Sequence, residues 1–284
     1  MKLQTIFLFL FLTLPLVGCD WVEEKIAQHK AEKARKYQER YEKSRKERIE
    51  FGKNNPIVGN LGGVPVALPR YIVEYVQHDD TPDPFSKEWQ TYKRPEKRTY
   101  ADNLTAFGFV FDFKTNELRD PYANTYKRWE KEYLNNMSSW INVSVYCGRS
   151  APKEDMNQWA TTWLPKNGYY YDYKYSKTGE EFGLEKYQFP DVLDKKTQKP
   201  IRNKDKYGDV FVSRDEHGNV ASMIKCSNHN KYNLLLCDSY FHIPDFNTRI
   251  TLRFSRPHLE HWKKIQQQAE QHIRSWIVKT EEIQ

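Results

Sequence analysis

The last third of the chain alternates apolar and polar residues with a period of two, and this pattern restricts the fold most strongly. The segment "DVFVSRDEHGNVASMIKCS" (209–227) predicts a β-hairpin turning at residues 216–219, and "LLLCDSYFHI" (234–243) and "TRITLRFS" (248–255) predict further antiparallel strands. Pro257 then opens a predicted helix with a core-facing apolar stripe, formed by Leu259, Trp262, Ile265, Ala269, Ile273, Trp276 and Ile277. Strands followed by a covering helix indicate the α+β class.

The first half of the body repeats this combination of strands and helix. "LTAFGFVFDF" (104–113) and "SWINVSVYCG" (139–148) alternate like strands, and "PYANTYKRWEKEYLNNM" (121–137) between them predicts a short helix. We therefore predict an α+β protein of antiparallel β meanders covered by helices. It has two α/β halves, a first subdomain at 56–150 and a second at 151–284 that includes the C-terminal helix.

The N-terminus predicts a lipoprotein leader. An apolar run from Ile6 to Val17 follows Lys2, which is the pattern of a secretory signal and too short to span a bilayer, since a spanning helix needs about 20 apolar residues. The run ends in "LVGC", which resembles the bacterial lipobox. This resemblance implies a signal peptide at 1–18, cleavage after Gly18 and a lipid anchor on Cys19, which would hold the body on a membrane without crossing it.

A charged segment separates this anchor from the body. Residues 20–50 hold ten Lys/Arg and eight Asp/Glu and contain no Gly or Pro. Several acids precede a base by four residues, as in Glu32–Lys36 and Glu39–Lys43, the favourable orientation for helix pairs. An apolar heptad seam is missing, so we interpret 19–55, including the lipidated cysteine, as a solvated and partly helical tether rather than a coiled coil.

Charge and the residue after the anchor bear on location and partners. Removing Lys2 with the leader lowers the formal net charge from +7 to +6, spread over a mixed-charge surface that does not predict nucleic-acid binding. Asp20 follows the anchor cysteine, and in the best-known sorting rule an acid there retains a lipoprotein in the inner membrane. We expect a bacterial envelope protein facing the periplasm, with the inner membrane favoured and the outer membrane open.

Three cysteines remain once Cys19 carries lipid. Two should pair in an oxidising compartment. Cys226 ends one predicted strand and Cys237 lies in the next, so a Cys226–Cys237 disulfide is the economical choice and Cys147 would be a buried free thiol. A metal site at Cys226, His229 and Cys237 is the alternative, but it lacks a fourth ligand at convincing spacing.

Four segments together resemble a known family. They are "NLGGVPVALPRYIVEYVQHD" (60–79), "RTYADNLTAFGF" (98–109), the hairpin at 209–228 and "RITLRFSRPHLEHWKKIQQQAEQHIRSWIV" (249–278). This set is similar to the Tli family, lipoprotein immunity proteins of type VI secretion phospholipase effectors, and the likeness runs through most of 57–278. The resemblance implies inhibition by binding, in which the protein docks on a toxic lipase and blocks its access to phospholipid. It assigns no functional residue.

Catalytic motifs are missing from the sequence. It has no G-x-S-x-G elbow, no S-x-x-K, no H-E-x-x-H and no glycine-rich phosphate loop. The two histidines of "HLEH" (258–261) resemble a metal site only superficially, and solvated histidines at a helix start are the simpler interpretation. We therefore predict a binding protein with no enzymatic activity, cofactor or metal.

The predicted partner contact follows from residue chemistry, because buried Tyr, Trp and Arg dominate interface energies. The tyrosine tract in "YYYDYKY" supplies the candidate anchors, with aromatic and acidic residues of a preceding polar loop as a rim. The candidates are Tyr169, Tyr170, Tyr171, Tyr173, Tyr175, Trp89, Tyr92, Asp79, Asp80 and Asp83. An alternative function, an envelope scaffolding or assembly lipoprotein whose charged tether reaches a partner, stays open.

Overall fold

A computed structural model gives the fold of the chain. It describes residues 14–83, 85–93, 95–148, 155–164, 175–188, 192–193, 196–197, 200–201, 208–228 and 234–279. Two compact units are distinguished, 1–51 and 52–284. Among the described residues, no helix is long and apolar enough to cross a membrane.

The first unit is dominated by a long charged helix. Helix α1 (Leu14–Asn54) spans 41 residues, so it begins inside the predicted leader and covers the predicted tether. The side chains described along it are mostly exposed, and pairs such as Glu32–Lys36, at 2.7 Å, line its surface. Good helix formers and oppositely charged residues four apart stabilise this helix without a core.

The second unit is built around one large antiparallel sheet. Its strands, in chain order, are β3 (Glu74–His78), β4 (Leu104–Asp112), β5 (Glu117–Leu118), β6 (Trp140–Cys147), β7 (Ser176–Glu181), β8 (Leu184–Gln188), β11 (Asp209–Arg214), β12 (Val220–Cys226), β13 (Leu236–Ile243) and β14 (Thr248–Ser255). They follow the order β3-β4-β6-β14-β13-β12-β11-β8-β7, with β5 beside β4. Two small hairpins are separate, β1 (Ile57–Leu61) with β2 (Val64–Leu68) and β9 (Val192–Leu193) with β10 (Pro200–Ile201). The antiparallel α+β class predicted from the sequence is confirmed.

The two segments that the sequence analysis separated at residue 150 contribute strands to this same sheet. β6 pairs with β14 over six residue pairs, from Thr248–Cys147 to Arg253–Asn142. Such a pairing joins residues about a hundred positions apart, which local periodicity does not reveal.

The main core lies on one face of the sheet. Alternate residues of β4 and β6 point into it, among them Phe109, Phe111, Ile141 and Val145, all at most 1% exposed. Three helices are added to the sheet: α2 (Asn124–Glu132), α3 (Met156–Trp163) and α4 (Trp262–Ser275). The α4 stripe of Ile265, Ala269 and Ile273 is fully buried in this core, as its spacing predicts.

The C-terminal hairpin has the predicted turn and a disulfide. β11 ends at Arg214 and β12 begins at Val220, around a turn in which Asp215 accepts backbone hydrogen bonds from His217 and Asn219. Cys226 and Cys237 are directly opposite each other on β12 and β13 and form a disulfide, while Cys147 is a buried free thiol.

Both outermost strands of the sheet are irregular. β3 shifts register against β4 between Glu74 and His78, with Tyr75 in the left-handed region at φ 53° and 83% exposed. β7 shifts register against β8 between Lys177 and Gly179. Bulges of this kind interrupt the row of free backbone groups that an edge strand would otherwise offer.

Candidate functional site

The sheet has a second face whose centre carries polar and small residues. Directly paired residues of neighbouring antiparallel strands point to the same side. One such row crosses the sheet from β4 to β12 through Gly108, Ser144, Thr251, Tyr240 and Met223. The first three of these residues are small; Gly108 is buried, whereas Ser144 and Thr251 are half-buried.

The neighbouring row carries charge. Asn142, Arg253, Asp238 and Lys225 follow one another across β6, β14, β13 and β12. The Nε of Arg253 donates to Asp238 at 2.7 Å, and this hydrogen bond raises the pKa of Arg253. Burial lowers the pKa of Lys225, opposed by the charge of Asp238. The row therefore holds two cations against one carboxylate.

Arg249 lies among aromatic rings at the other end of β14. Its guanidinium carbon is 4.9 Å from the ring centroid of Tyr146, its cross-strand partner, and 5.6 Å from that of Trp159. Trp159 in turn packs edge-on against Tyr240 with centroids 4.4 Å apart. Burial lowers the pKa of Arg249 and raises that of Tyr240 to about 12. These contacts are cation–π and aromatic pairs of the kind that proteins use at binding surfaces.

Helix α3 places Trp159 on this face. Asp155 caps the helix by accepting a hydrogen bond from the backbone N–H of Gln158 at 2.6 Å. Asn157 accepts from the backbone N–H of Val220 at 2.8 Å, which fixes the helix to the start of β12. Met156 and Ala160 complete the attachment by packing into a small second core with Val210, Val212, Val220 and Met223.

These residues define a surface that we call the outer face. Its members combine rings, arginines and small polar side chains: Asn142, Ser144, Tyr146, Trp159, Asp238, Tyr240, His242, Arg249, Thr251 and Arg253. Each side chain is half-buried or exposed, whereas the residues that alternate with them on the same strands belong to the main core. The outer face is therefore available for contacts that the main core does not need.

The outer face lies outside the partner contacts predicted from the sequence. A sequence pattern that indicates this surface is nevertheless present in β13 and β14. Tyr240, Arg249 and Arg253 occupy the positions of these strands where polar residues are expected to alternate with core residues. A strand whose solvent side carries Tyr and Arg rather than Lys, Glu or Thr has the composition of an interface.

A second aromatic group lies on α2 and at its C-terminal end. Trp129 stacks on Tyr133 with centroids 4.6 Å apart, and the guanidinium of Arg119 lies 4.5 Å from the Trp129 ring. Arg119 also pairs with Glu74, which faces Gly108 in the same cross-strand row as Ser144. This group ties α2 to the edge strand β3.

The predicted rim residues of the polar loop come together around Arg98. Its Nη2 donates to Asp80 at 2.8 Å and to the hydroxyl of Tyr92 at 3.1 Å, and Trp89 stacks on Tyr92 at 6.2 Å. The other two acids are also bonded within this region. Asp79 accepts from Asn103 at 2.9 Å, and Asp83 accepts from the backbone N–H of Phe85 at 2.8 Å. The three acids thus hold the loop's shape, while Phe85 and Trp89 stay exposed.

The predicted tyrosine tract is only partly observed. Tyr169, Tyr170, Tyr171 and Tyr173 lie outside the described residues. Tyr175 is 9% exposed and packs in the small second core with Val210, so it closes that core instead of presenting its ring to a partner. The backbone of Cys19, the predicted lipid-anchor residue, belongs to α1, and its side chain is not described.

No group of three or more His, Cys, Asp or Glu side chains that could hold a metal ion occurs in the described part of the chain. His258 of the "HLEH" motif is buried rather than solvated, with Nε2 3.0 Å from the carbonyl oxygen of Met137 and its ring 4.8 Å from Phe113. A cleft of about 400 Å³ lies beside β1 and β3 and is lined by Arg70, His78 and Arg98 among others.

Comparisons with known proteins give two similar solved structures. No family model matches the chain, and no curated protein matches it. Smlt3025, an immunity protein of the Stenotrophomonas maltophilia type IV secretion system, shares 13% identity at a TM-score of 0.48, over 79% of this chain and 94% of that one. The Neisseria meningitidis iron-regulated outer membrane lipoprotein FrpD shares 13% identity at a TM-score of 0.41, over 80% and 94%. Likeness at this level carries no functional argument.

Proposed function

We propose that this protein is an immunity lipoprotein that binds and neutralises a type VI secretion lipase or phospholipase effector by blocking its active site. The "LVGC" leader and Asp20 support a lipid anchor at Cys19 in the bacterial envelope, facing the periplasm and favouring the inner membrane. The resemblance of 57–278 to lipoprotein immunity proteins supports the type of partner. No bond-making step by this chain is part of the proposal.

The observation that carries the proposal is the outer face. Tyr146, Trp159, Tyr240 and Arg249 contact one another on the side of the sheet that the main core does not use. Tyr, Trp and Arg are the residues that most often dominate binding energy when a partner excludes water from them. A standard interface needs about 800 Å² per partner, which a sheet of this width can supply.

Insertion of rings is the mechanism we propose for inhibition. The mouth of a lipase is an apolar surface that opens toward lipid, and aromatic side chains can occupy it at low conformational cost. The rim candidates Trp89, Tyr92, Asp79, Asp80 and Asp83, together with Tyr169, Tyr170, Tyr171, Tyr173 and Tyr175, are further candidate contacts. Tyr175 would act through packing, since its ring is buried.

Inhibition in solution tests the proposal. The body, residues 20–284 without leader and anchor cysteine, is mixed with the co-encoded phospholipase, and hydrolysis of phospholipid vesicles is followed. We expect stoichiometric inhibition, with activity lost at equimolar protein. Full activity at equimolar protein, or hydrolysis by the body alone, contradicts the proposal.

A scaffolding role in the envelope is the second candidate, favoured by the exposed and heavily charged α1. Deleting 20–50 while keeping the anchor separates the two functions. An assembly role that uses the charged helix is lost in this variant, whereas inhibition of the phospholipase in solution is retained.

A further inference from the structure

Arg249 differs from the other arginines of the fold. Those that are buried or half-buried in the described part of the chain pair with carboxylates: Arg45 with Glu42, Arg98 with Asp80, Arg119 with Glu74, Arg128 with Asp112, and Arg256 with Asp209. Arg249 is half-buried, and no described carboxylate forms an ion pair with it. Its Nε is buried and makes no hydrogen bond within the described structure; the same holds for Arg119 and Arg128, but their guanidinium groups have carboxylate partners.

This arrangement is costly unless something completes it. A guanidinium withdrawn from water loses hydration, and an unsatisfied buried donor costs free energy comparable to a lost hydrogen bond. The rings of Tyr146 and Trp159 hold the guanidinium in place by cation–π contacts but cannot accept in-plane hydrogen bonds from its N–H groups. The guanidinium is thus held in place, and its Nε has no acceptor among the described residues.

The charges around Arg249 favour an anion. Its cross-strand neighbour on β13 is His242, whose pKa is lowered by burial and by Arg249 and raised by Asp155. Asp155 caps α3 with its carboxylate, so it is already engaged. In the adjacent row Arg253 pairs with Asp238, and no described carboxylate forms an ion pair with Arg249. A carboxylate approaching Arg249 therefore meets a guanidinium that has no described counter-charge.

We propose that the outer face binds an acidic segment of the effector, and that one carboxylate of this segment pairs with the guanidinium of Arg249 between Tyr146 and Trp159. The inference rests on the proposed function and adds the recognition chemistry to it. The planar fork of an arginine matches a carboxylate in two parallel hydrogen bonds. Ser144 and Thr251, both small and half-buried, lie in the neighbouring cross-strand row beside the pair.

A peptide segment fits this surface better than an anionic lipid. The guanidinium of Arg249 is flanked by aromatic rings and by the Arg253–Asp238 pair. These neighbours favour a ligand that presents one carboxylate among neutral and apolar groups. A lipid surface would instead be met by a cluster of unpaired lysines and arginines. Binding to anionic vesicles is therefore not expected to depend on Arg249.

The test compares three variants of the body, residues 20–284, with the unaltered body. Arg249→Gln removes the charge and keeps most of the length, Arg249→Lys keeps the charge without the fork, and Arg274→Gln is the control. Arg274 lies on α4, on the opposite side of the sheet, and pairs with Asp245 and Glu270. The control substitution therefore removes the same charge from a different surface. Affinity for the co-encoded effector is measured by calorimetry at low and high salt, with thermal unfolding as the folding check.

We expect Arg249→Gln to weaken binding by about ten- to a hundredfold, the range of a charge-assisted hydrogen bond, with a smaller salt dependence. Arg249→Lys should recover only part of the loss, and Arg274→Gln should bind like the unaltered body. Unchanged binding by Arg249→Gln, while the unaltered body binds, overturns this inference and leaves the proposed function standing. Absence of binding by the unaltered body overturns both, and equal losses in Arg249→Gln and Arg274→Gln point to general electrostatics and overturn the inference.

Discussion

Asp209 and Arg256 form an ion pair that fixes the first strand of the C-terminal hairpin to the turn leading into α4. The carboxylate of Asp209 is 2% exposed, and it also accepts from Gln188 at 2.7 Å and from Asn228 at 3.0 Å. Burial acts to raise the pKa of Asp209, but these hydrogen bonds and the charge of Arg256 lower it by more than burial raises it. The pKa of Asp209 is therefore below its ordinary value. The pair is charged and fully bonded in the native state.

Replacing this carboxylate should destabilise the fold at neutral pH. Asp209→Asn leaves the guanidinium of Arg256 without its counter-charge, and breaking a buried pair from one side costs about 3 kcal/mol or more. Urea unfolding at pH 7 measures the change. Asp238→Asn, which removes a carboxylate from the more exposed pair with Arg253, should cost less than about 1 kcal/mol. Equal losses in the two variants would contradict this account.

The same pair predicts acid sensitivity. A carboxyl whose pKa is lower in the folded than in the unfolded state stabilises the fold above its ordinary value of 3.8. That contribution disappears as the pH falls from about 4 through the folded-state pKa. The free energy of unfolding of the unaltered protein should therefore decline over this interval, and the decline should be shallower in Asp209→Asn. Parallel curves for the two proteins would exclude Asp209 as a source.

Histidine burial predicts a second loss of stability at milder pH. Burial lowers the pKa of His272 from its ordinary 6.5, and its Nε2 lies 3.0 Å from Asn116. The unfolded chain then binds the proton first, so stability falls as the pH drops below 6.5. His272→Gln keeps a partner for Asn116 and should flatten the slope between pH 6.5 and the folded-state pKa. The pKa values of buried His78 and His258 and of half-buried His242 shift the same way and contribute equally to both proteins.

The disulfide should stabilise the hairpin by a predictable amount. Cys226 and Cys237 are 11 residues apart, and a closed loop of this size contributes about 2–3 kcal/mol by restricting the unfolded chain. Replacing both by Ala should lower the free energy of unfolding by that amount in denaturant titration. Cys147→Ala, which removes a buried thiol that forms no bridge, tests packing alone. No difference between the double variant and an unreduced control would contradict the expectation.

Trp159 should matter to stability and to binding. Trp159→Ala removes a half-buried ring from Tyr240 and Arg249, and we expect a cost of about 2 kcal/mol, below the 3–5 kcal/mol of a fully buried aromatic. Affinity for the effector should fall beyond what unfolding explains. Trp89→Ala, in the polar loop, is the matched control, because Trp89 is 45% exposed and should cost under about 1 kcal/mol. Greater loss of affinity in Trp89→Ala would move the interface to that loop.

Local sequence patterns predicted the elements well and their assembly incompletely. The alternation in β4, β6 and β11–β14 and the stripe of α4 are set by burial on one side, so they can be read from spacing. Pairing of β6 with β14 depends on contacts between distant residues, and it joins the predicted halves in one sheet. Tyr175 shows a related limit for the candidate site. The tyrosine-rich stretch predicts a partner contact there, whereas the Tyr175 ring is buried in the small second core together with residues of α3. The outer face was missed because Arg249 and Tyr146 become neighbours only through that long-range pairing.

The bulges at β3 and β7 have a consequence for how recognition evolves. Because both outermost strands carry register shifts, docking of a partner strand by main-chain hydrogen bonds along these edges is disfavoured. Discrimination then falls to side chains anchored on a rigid platform. Substitutions at these exposed positions can therefore change what the surface recognises while the buried core of the sheet stays the same.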